Sequence, residues 1–332
     1  MPGFTRTEFL AAAALLVAVV GCDRSDNSNA APAASGRDGA ARPTIAVIPK
    51  GTTHVFWQSV EAGAKEAAEA EGVDIIWKGP LKESDRSGQI EMVQRFVSQG
   101  VAGIALAPLD SKALRGPVDA AAAKGIPVVI FDSALEGQAG EQFVSFVATD
   151  NKAGGLAGGR RLAELIDGKG KVVLLRYLAG SASTAEREAG FLEALADAPD
   201  VSVTSDNQYG GATASEAQQK AMSMLATLRD ADAIFTPNES STYGMLLALR
   251  QAGLAGQKVF VGFDASPPLV EALRAGEVHA LVVQNPRKMG FLAVQTLAKH
   301  LRGEPVDQRI DTGVMLVTKD NLDTPEVKAM LQ

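Results

Sequence analysis

The chain has 332 residues, of which 46% are hydrophobic, and its formal net charge is −7 at pH 7. This length is enough for about two domains, each able to bury a core of its own. Nucleic-acid binding needs a basic face, and here acidic and basic residues are mixed along an acidic chain, so no nucleic-acid partner is expected.

The N-terminal residues have the pattern of an export signal. A short polar stretch containing Arg6 precedes an apolar run from Phe9 to Val20, which is too short to span a bilayer. Small residues then lead to Cys22, the only cysteine in the chain. This order resembles the lipobox of bacterial lipoproteins, in which cleavage leaves the cysteine as an acylated N-terminus. We expect a signal peptide over residues 1–21 and lipidation at Cys22, with a free buried cysteine as the alternative.

A flexible tether is predicted over residues 22–42. Asp23 to Arg42 is rich in Ala, Ser, Asn, Gly and Pro and has almost no large apolar residue, so it cannot bury enough surface to fold. Because Cys22 has no partner cysteine, disulfides, thiolate metal sites and cysteine catalysis are excluded for the body. The anchor predicts a location at the periplasmic or cell-surface face of a membrane.

From Thr44 onward, short runs rich in Val and Ile alternate with longer amphipathic segments. The apolar runs are mostly continuous, which is typical of strands covered on both faces in a parallel sheet. The predicted strands of a first series are Ile45–Ile48, Val73–Trp77, Gly103–Ala107, Val128–Phe131 and Val144–Val147. The predicted helices between them are Gln58–Ala70, Arg86–Ser98 and Ala113–Lys124.

The same rhythm then restarts. The predicted strands of the second series are Val172–Leu175, Val201–Thr204, Ala233–Thr236, Val259–Phe263, Ala280–Gln284 and a final short run, Val314–Val317. The predicted helices are Ala153–Leu165, Ala185–Leu195, Ser215–Leu228, Thr242–Gln251 and Lys288–Leu301. Two consecutive β/α series predict an α/β protein with two doubly wound, Rossmann-like lobes of parallel strands.

Polar residues that follow strands carry the most information, because doubly wound sheets bind ligands beyond the carboxyl ends of their strands. After the first strand, a polar loop from Lys50 brings Phe56 and Trp57 to the start of a helix. The other residues in such places are Asp132, Arg187, Tyr209, Asn238, Asp264 and Gln284. Amides, carboxylates, an arginine and flat rings suit a neutral polyol or sugar better than a phosphate or a metal.

A series of motifs in the chain resembles one family. In chain order the motifs are Phe56-Trp57 with Gly63-Ala64, Pro127 to Asp132, Thr149-Asp150-Asn151 with Gly154-Gly155, Glu186 to Phe191, and Val261 to Asp264. The series resembles the periplasmic sugar-binding proteins of ABC importers, specifically the ribose-binding-protein-like group with the type I periplasmic-binding fold. The resemblance covers Thr44 to about Val317.

The resemblance implies a role for each site residue. Phe56 and Trp57 match the paired aromatics that sandwich the sugar from the N-terminal lobe. His54 matches a position where an asparagine often binds a hydroxyl. Asp132 matches a carboxylate of the family's site, Arg187 matches an arginine, and Tyr209 matches an aromatic residue. Asn238, Asp264 and Gln284 match an amide, an acid and a second amide.

Two positions depart from the family pattern. Ala107 stands where an asparagine commonly precedes Pro108, and Ser133 stands where an arginine often follows the first aspartate. These changes remove an amide and a guanidinium, and with them several hydrogen-bond donors. The pattern therefore favours a sugar-like pocket and does not specify ribose.

The resemblance also implies how the lobes are assembled. Crossings near Thr149-Asp150, Gln284-Asn285 and Asp311-Gly313 would place residues 43–149 and 285–311 in an N-terminal lobe. Residues 150–284 and 312–332 would form the C-terminal lobe. Three crossings make a hinge that allows the lobes to close on a ligand.

Each site residue also has a structural interpretation that stays open. The aromatic pair could pack in the core, and the two aspartates could cap helices. Arg187 could be a solvated charge on a helix, and Gln284 could make a hydrogen bond in the hinge. His54 could be an exposed loop residue.

The resulting hypothesis is a monomeric, lipid-anchored solute-binding protein of an ABC importer, which binds a sugar or polyol without a cofactor and docks on a membrane permease. The alternatives are a ligand-presenting sensory protein for a chemoreceptor or histidine kinase, and a binding protein for a non-sugar solute. An enzyme is not expected, because the sequence lacks a Gly-x-Ser-x-Gly elbow, a phosphate loop ending in Gly-Lys-Ser/Thr and a His-Glu-x-x-His motif. The three histidines show no metal-ligand spacing.

Overall fold

The computed structural model describes residues 41–331 of the chain. The predicted signal peptide, the predicted lipidation at Cys22 and nearly all of the predicted tether lie outside those residues. None of the helices within 41–331 combines the length and the apolar character that crossing a membrane requires.

Strands and helices alternate along the described residues. The strands are β1 (Thr44–Ile48), β2 (Asp74–Trp77), β3 (Gly103–Leu106), β4 (Val128–Phe131), β5 (Ser145–Ala148), β6 (Lys169–Arg176), β7 (Asp200–Tyr209), β8 (Ala233–Phe235), β9 (Val259–Phe263), β10 (Ala280–Gln284), β11 (Arg309–Asp311) and β12 (Val314–Val317). The helices are α1 (Val55–Glu71), α2 (Arg86–Gln99), α3 (Arg115–Ala123), α4 (Asn151–Leu165), α5 (Ala182–Ala196), α6 (Ala214–Ser223), α7 (Leu225–Asp230), α8 (Glu239–Gln251), α9 (Pro267–Ala275), α10 (Pro286–Leu301) and α11 (Pro325–Leu331).

The strands form two six-stranded sheets with equivalent strand orders. The first sheet has the order β2-β1-β3-β4-β5-β11, and the second has the order β7-β6-β8-β9-β10-β12. We call the first sheet with α1, α2, α3 and α10 lobe 1, and the second sheet with α4 to α9 and α11 lobe 2. Both lobes are doubly wound α/β layers, which confirms the fold class predicted from the sequence.

Strand β1 shows why continuous apolar runs become central strands. Ile45 and Val47 pack in the apolar cluster beneath α1 and α10, whereas Ala46 and Ile48 pack in the cluster beneath α2 and α3. Successive side chains of a strand point to opposite faces of the sheet. A run that is apolar at every position is therefore stable only between two layers of helices.

The structure differs from the predicted elements mainly at the sheet edges and in short helices. Strand β7 continues to Tyr209 instead of ending at Thr204, because its alternating polar side chains suit an edge strand with one face open to solvent. Strand β11 has three residues, too few for a sequence signal. The predicted helix Ser215–Leu228 is two helices, α6 and α7, which meet at Met224. Helices α9 and α11, which begin at prolines, have no counterpart among the predicted helices.

Strand β12 is antiparallel to β10, although the sequence pattern predicts parallel sheets throughout. The chain reaches β12 from β11 of the other sheet through only Thr312 and Gly313. Parallel neighbours need a long crossover, which two residues cannot provide. A strand that leaves the carboxyl edge of one sheet and enters the carboxyl edge of the other runs against the strands already there.

The chain passes between the two sheets at three places: after β5, after β10 and between β11 and β12. Contacts hold these crossings side by side. The hydroxyls of Thr149 and Thr312 lie 3.1 Å apart, and the backbone N–H of Asp150 donates to Asp311 Oδ1 at 3.2 Å. Gln284 at the end of β10 pairs with the first residue of β12. The three crossings therefore lie together at one end of the gap between the lobes.

Each lobe contains a pair of helices whose backbones approach so closely that glycine is required between them. In lobe 2, a Cβ atom on Gly155 of α4 would overlap the carbonyl oxygen of Arg187 in α5. In lobe 1, a Cβ atom on Gly63 of α1 would overlap the carbonyl oxygen of Arg287 in α10. The glycine of α4 therefore sets how closely α5 approaches, and with it where Arg187 stands.

Replacing Gly155 with alanine should lower the free energy of unfolding by about 1–3 kcal/mol, the usual penalty for overpacking. Gly116→Ala in α3 is the matched control, because a Cβ there meets nothing within 4 Å and alanine is the better helix former by up to about 1 kcal/mol. Urea unfolding followed by far-UV circular dichroism measures both variants. Equal stability of the two variants would show that the α4–α5 contact does not need the glycine.

Candidate functional site

A cavity with about 320 Å³ of empty space lies between the lobes, where the carboxyl ends of strands from both sheets face each other. From lobe 1 the cavity is lined by Lys50, His54, Phe56, Trp57, Glu83 and Asp132. From lobe 2 it is lined by Tyr177, Ser183, Thr184, Arg187, Asn238, Glu239, Asp264 and Gln284. We call this cavity the cleft.

Most residues that the sequence predicts as ligand contacts line the cleft. Those that do are His54, Phe56, Trp57, Asp132, Arg187, Asn238, Asp264 and Gln284. Tyr209 is the exception: its side chain is 45% exposed and does not line the cleft. The loop in which the sequence places Tyr209 is the end of edge strand β7. The tyrosine found in the cleft is Tyr177, which directly follows β6.

Phe56 and Trp57 lie in the first turn of α1 and form one wall of the cleft. Their rings meet edge to face, with centroids 4.9 Å apart. Trp57 is 2% exposed, packs edge to face on Phe131 and belongs to the core of lobe 1. Phe56 is only partly buried against that core. Trp57 therefore packs in the core and supports the wall, whereas Phe56 is the more open ring at the cleft. The pair combines the two interpretations, core packing and ligand contact.

Glu83, in the loop between β2 and α2, is a buried carboxylate that gathers three partners. Its Oε1 lies 2.9 Å from His54 Nδ1 and accepts a hydrogen bond from Trp57 Nε1 at 2.7 Å. Its Oε2 accepts a hydrogen bond from the hydroxyl of Tyr177 in lobe 2 at 2.8 Å. Glu83 therefore connects the aromatic wall and His54 of lobe 1 to a residue of the opposite lobe.

His54 and Glu83 ionise as a pair. Burial alone would lower the pKa of His54, but the charge and hydrogen bond of Glu83 outweigh burial and raise this pKa to about 9. Burial alone would raise the pKa of Glu83, but the charge and hydrogen bond of His54, the charge of Lys50 and the hydrogen bond of Trp57 lower it to about 2. At neutral pH the pair is therefore an imidazolium beside a carboxylate.

Lys50 and Asp132 form a second buried ion pair. Lys50 Nζ lies 2.8 Å from Asp132 Oδ2 and donates to Ser183 Oγ of lobe 2 at 2.9 Å. Ser133, one of the two positions that depart from the family pattern, accepts a hydrogen bond from the backbone N–H of Ser183 at 3.1 Å. Lys50 thus places a positive charge beside Asp132, which the serine at position 133 cannot do.

Asp132 and Asp264 occupy equivalent places, because each follows the fourth strand in the order of its sheet, β4 or β9. Both have positive φ, 62° and 68°. Aspartate is one of the few non-glycine residues that adopt this left-handed conformation. Such strain, on the order of 1–3 kcal/mol, persists only where the surrounding structure enforces it, and it is common at functional sites.

Asp264 is held by donors from two other elements. Its Oδ1 accepts a hydrogen bond from Gln284 Nε2 at 2.7 Å, and its Oδ2 accepts one from the backbone N–H of Glu239 at 2.8 Å. The residue at the N-cap of the following helix α9 is Ser266. Asp264 is therefore a member of the polar network of the cleft and not a cap of its own helix. Burial raises the pKa of its carboxyl group, against the charge of Arg187.

Arg187 is buried in the cleft, with 2% of its surface exposed, and is not a solvated charge on α5. Its guanidinium lies 4.1 Å above the centroid of the Phe263 ring. Its Nε donates to Asn151 Oδ1 at 2.8 Å, and one terminal nitrogen donates to the carbonyl of Pro237 at 3.0 Å. Ring stacking and two hydrogen bonds fix the plane of the guanidinium, so its remaining donors have a set direction.

Asn238 and Glu239 stand where α8 begins. Asn238 caps this helix, with Oδ1 accepting a hydrogen bond from Ser241 N at 3.3 Å, and it also lines the cleft. Glu239 Oε2 accepts a hydrogen bond from the backbone N–H of Phe56 in lobe 1 at 3.1 Å. Burial raises the pKa of Glu239. Like Lys50 and Glu83, Glu239 joins the two lobes.

Some lining residues are absent from the sequence prediction; they are Lys50, Glu83, Tyr177, Ser183, Thr184 and Glu239. Tyr177 and Glu239 carry a usable signal, because one directly follows β6 and the other directly follows Asn238. Glu83 carries none, since its partners lie far from it in the chain. Within residues 41–331, no group of three or more His, Cys, Asp or Glu side chains could hold a metal ion.

The His54–Glu83 pair predicts how stability changes with pH. The pKa of His54 is raised in the folded protein, so its contribution is complete below about pH 6.5 and is lost as the pH rises through about 9. The pKa of Glu83 is lowered, so its contribution is complete above about pH 4.5 and is lost as the pH falls towards about 2.

His54→Asn should therefore be less stable than the wild type near neutral pH and should lose less stability on the alkaline side. Thermal melting of both proteins across the alkaline range measures the difference. If the two melting curves fell in parallel as the pH rose, the His54–Glu83 pair would not be the source of the pH dependence.

Known proteins share the sequence pattern of this chain. The family model described as periplasmic binding protein domain matches residues 45–305. The D-ribose/D-allose-binding protein of Pseudomonas aeruginosa is 31% identical over 286 residues, which cover 83% of this chain and 89% of that protein.

Solved structures share the fold of this chain. An ABC transporter solute binding protein from Agrobacterium vitis, with bound D-fucose, is 37% identical with a TM-score of 0.84 and covers 87% of this chain and 100% of its own. A carbohydrate transporter solute binding protein from Agrobacterium radiobacter, in complex with D-arabinose, is 31% identical with a TM-score of 0.84 and covers 88% of this chain and 99% of its own.

Proposed function

The chain belongs to the periplasmic binding protein domain family, and we propose that it is the sugar-binding component of an ABC importer, with its ligand held in the cleft. The observation that carries the proposal is an inter-lobe cavity with an aromatic wall on one side and fixed hydrogen-bonding groups from both lobes around it. The ligands in the names of its relatives, D-ribose or D-allose, D-fucose and D-arabinose, are all carbohydrates.

The aromatic wall suits one face of a sugar ring. The C–H groups of a pyranose or furanose make an apolar face, while its hydroxyls point outward from the edge. A face of this kind packs against an aromatic ring. Phe56 offers the more open ring, and Trp57 supports it from the core.

The charged groups of the cleft suit neutral hydroxyls. Asp132 and Asp264 approach from opposite lobes and accept hydrogen bonds from hydroxyl groups, while Arg187 donates to hydroxyl oxygens. Hydrogen bonds to charged groups contribute roughly 1.5–3 kcal/mol each. Lys50 already neutralises Asp132, and His54 already neutralises Glu83. Because these charges are matched within the protein, a neutral polyol fits better than a phosphate or a sugar acid.

Binding is completed by closure of the lobes. The three adjacent crossings act as a hinge, with residues 43–149 and 285–311 moving against residues 150–284 and 312–332. Closure excludes water, so a hydroxyl of the wrong configuration is left without a partner at a penalty of about 1–3 kcal/mol. This penalty is the source of specificity.

The attachment and the partner follow from the N-terminal sequence and from the family. The apolar run before Cys22 supports export and lipid anchoring at the periplasmic or cell-surface face of the membrane. A tether of about twenty residues then lets the monomeric body reach a permease in the same membrane. The closed form is the one that docks on this permease.

A thermal-shift screen of the full chain tests the ligand class. The carbohydrate set is D-ribose, D-allose, D-arabinose, D-fucose and xylitol, and the comparison set is amino acids and nucleosides. A ligand present at 100 times its Kd should add about 2.7 kcal/mol of stability. We expect at least one carbohydrate to raise the melting temperature. A shift with an amino acid or a nucleoside, and with no carbohydrate, would refute the proposed function.

Arg187→Lys should weaken carbohydrate binding by roughly tenfold or more, because lysine keeps the charge but loses the planar fork and the ring stacking. Arg274→Lys is the matched control, since Arg274 lies on the surface of α9 and pairs with Asp323 there. Isothermal titration with the carbohydrate found in the screen measures both variants. Equal affinities of the two variants would show that Arg187 does not contribute to ligand binding.

A further inference from the structure

Tyr177 has a fixed place in the cleft. It is 1% exposed and lines the cavity. Its backbone N–H donates to Glu188 Oε1 of α5 at 3.1 Å, and Glu188 also pairs with Arg176 Nη1 at 2.7 Å. The end of β6 is therefore anchored to α5, and the position of the tyrosine ring follows from that anchor.

The Tyr177 hydroxyl makes a hydrogen bond that crosses between the lobes. It donates to Glu83 Oε2 at 2.8 Å, with the tyrosine in lobe 2 and the carboxylate in lobe 1. Because the two residues are carried by different sheets, this bond exists only while the lobes are closed. We call it the latch.

The latch acts on the aromatic wall through the same carboxylate. The other oxygen of Glu83 accepts from Trp57 Nε1 at 2.7 Å and contacts His54 Nδ1 at 2.9 Å. Trp57 in turn supports Phe56 edge to face. One carboxylate thus connects closure of lobe 2 to the orientation of the ring system that faces the ligand.

Electrostatics favour the latch over a wide pH range. Burial, together with the negative charge of Glu83, raises the pKa of Tyr177 well above its usual range, so the phenol remains a donor. His54 and Lys50 overcome burial and keep Glu83 ionised, so the carboxylate remains an acceptor. Hydrogen bonds between a hydroxyl and a carboxylate are among the stronger ones in proteins.

We propose that Tyr177 and Glu83 are positioning residues for ligand binding, whose hydrogen bond holds lobe 2 against the aromatic wall and keeps the closed cleft from reopening. This inference rests on the proposed function. It places Tyr177 of lobe 2 in the cleft, where the resemblance predicts Tyr209 as a ligand contact. A bound ligand leaves only after the latch breaks, so the latch acts on the dissociation rate more than on the association rate.

Tyr177→Phe tests the latch, because it removes the hydroxyl and keeps the ring. Tyr209→Phe is the matched control, with the same atom removed from a tyrosine that is 45% exposed and outside the cleft. Stopped-flow binding of D-ribose, D-allose, D-arabinose and D-fucose to the full chain gives both rates. We expect Tyr177→Phe to raise the dissociation rate roughly 10- to 100-fold, the range for one hydrogen bond to a charged group, with little change in association. Tyr209→Phe should match the wild type.

Tryptophan fluorescence, recorded with each of the four sugars at saturation so that the lobes are closed, provides a second readout. The chain has two tryptophans, so a Trp77→Phe background leaves Trp57 as the sole reporter. Without the latch, Trp57 should become more accessible to water, and its emission should shift to longer wavelength in Tyr177→Phe but not in Tyr209→Phe. A purely structural role would lower the melting temperature of Tyr177→Phe without a faster dissociation or an emission shift, and that result would overturn the proposal.

The two proposals fail in distinguishable ways. If the wild type binds none of the four sugars, the proposed function fails for these sugars, and the rates and the emission are measured with the carbohydrate that the thermal-shift screen identifies. If the wild type binds a sugar and Tyr177→Phe behaves like Tyr209→Phe in rate and emission, the latch is wrong while the binding function stands. If only Tyr209→Phe dissociated faster, Tyr209 would be a binding residue, as the sequence predicts, and the latch would be wrong.

Discussion

Parallel strands end at one edge of their sheet, and in this protein the carboxyl edges of two sheets face each other across one cleft. This constraint explains why residues far apart in the chain share one site. Lys50 follows β1, Asp132 follows β4, Tyr177 follows β6 and Asp264 follows β9. It also explains the antiparallel β12, which enters the second sheet from that same edge. The position of the cleft follows from the direction of the strands and does not depend on any particular side chain.

The charges of the cleft are stabilised by one another. A buried charge without a partner is strongly unfavourable, whereas a buried ion pair is close to neutral in its effect on stability. Lys50 with Asp132 and His54 with Glu83 satisfy this requirement, and each pair is further bonded to a residue of lobe 2. We infer that these pairs contribute orientation more than stability, because they hold carboxylate oxygens and ring edges at fixed positions around the cavity.

The two lobes repeat one architecture but contribute different chemistry. Each has a helix pair that meets through glycine, and each has an aspartate with positive φ after the fourth strand of its sheet order. Lobe 1 adds the aromatic wall, while lobe 2 adds Arg187 stacked on Phe263 and the amides of Asn238 and Gln284. In the proposed binding mode, a ligand contacts both lobes to use both sets, and its binding favours closure.

The sequence by itself determined the central strands and much of the cleft. Continuous apolar runs such as Ile45–Ile48 and Val128–Phe131 are stable only between helical layers, and the polar residues after them must lie at the carboxyl edge. The tertiary structure alone decided that Tyr177 and not Tyr209 faces the cleft, and that Glu83 gathers its partners. Tyr177 and Glu83 are 94 residues apart and belong to different lobes. Their contact depends on how the two sheets meet, and a contact of that kind leaves no periodic pattern in the chain.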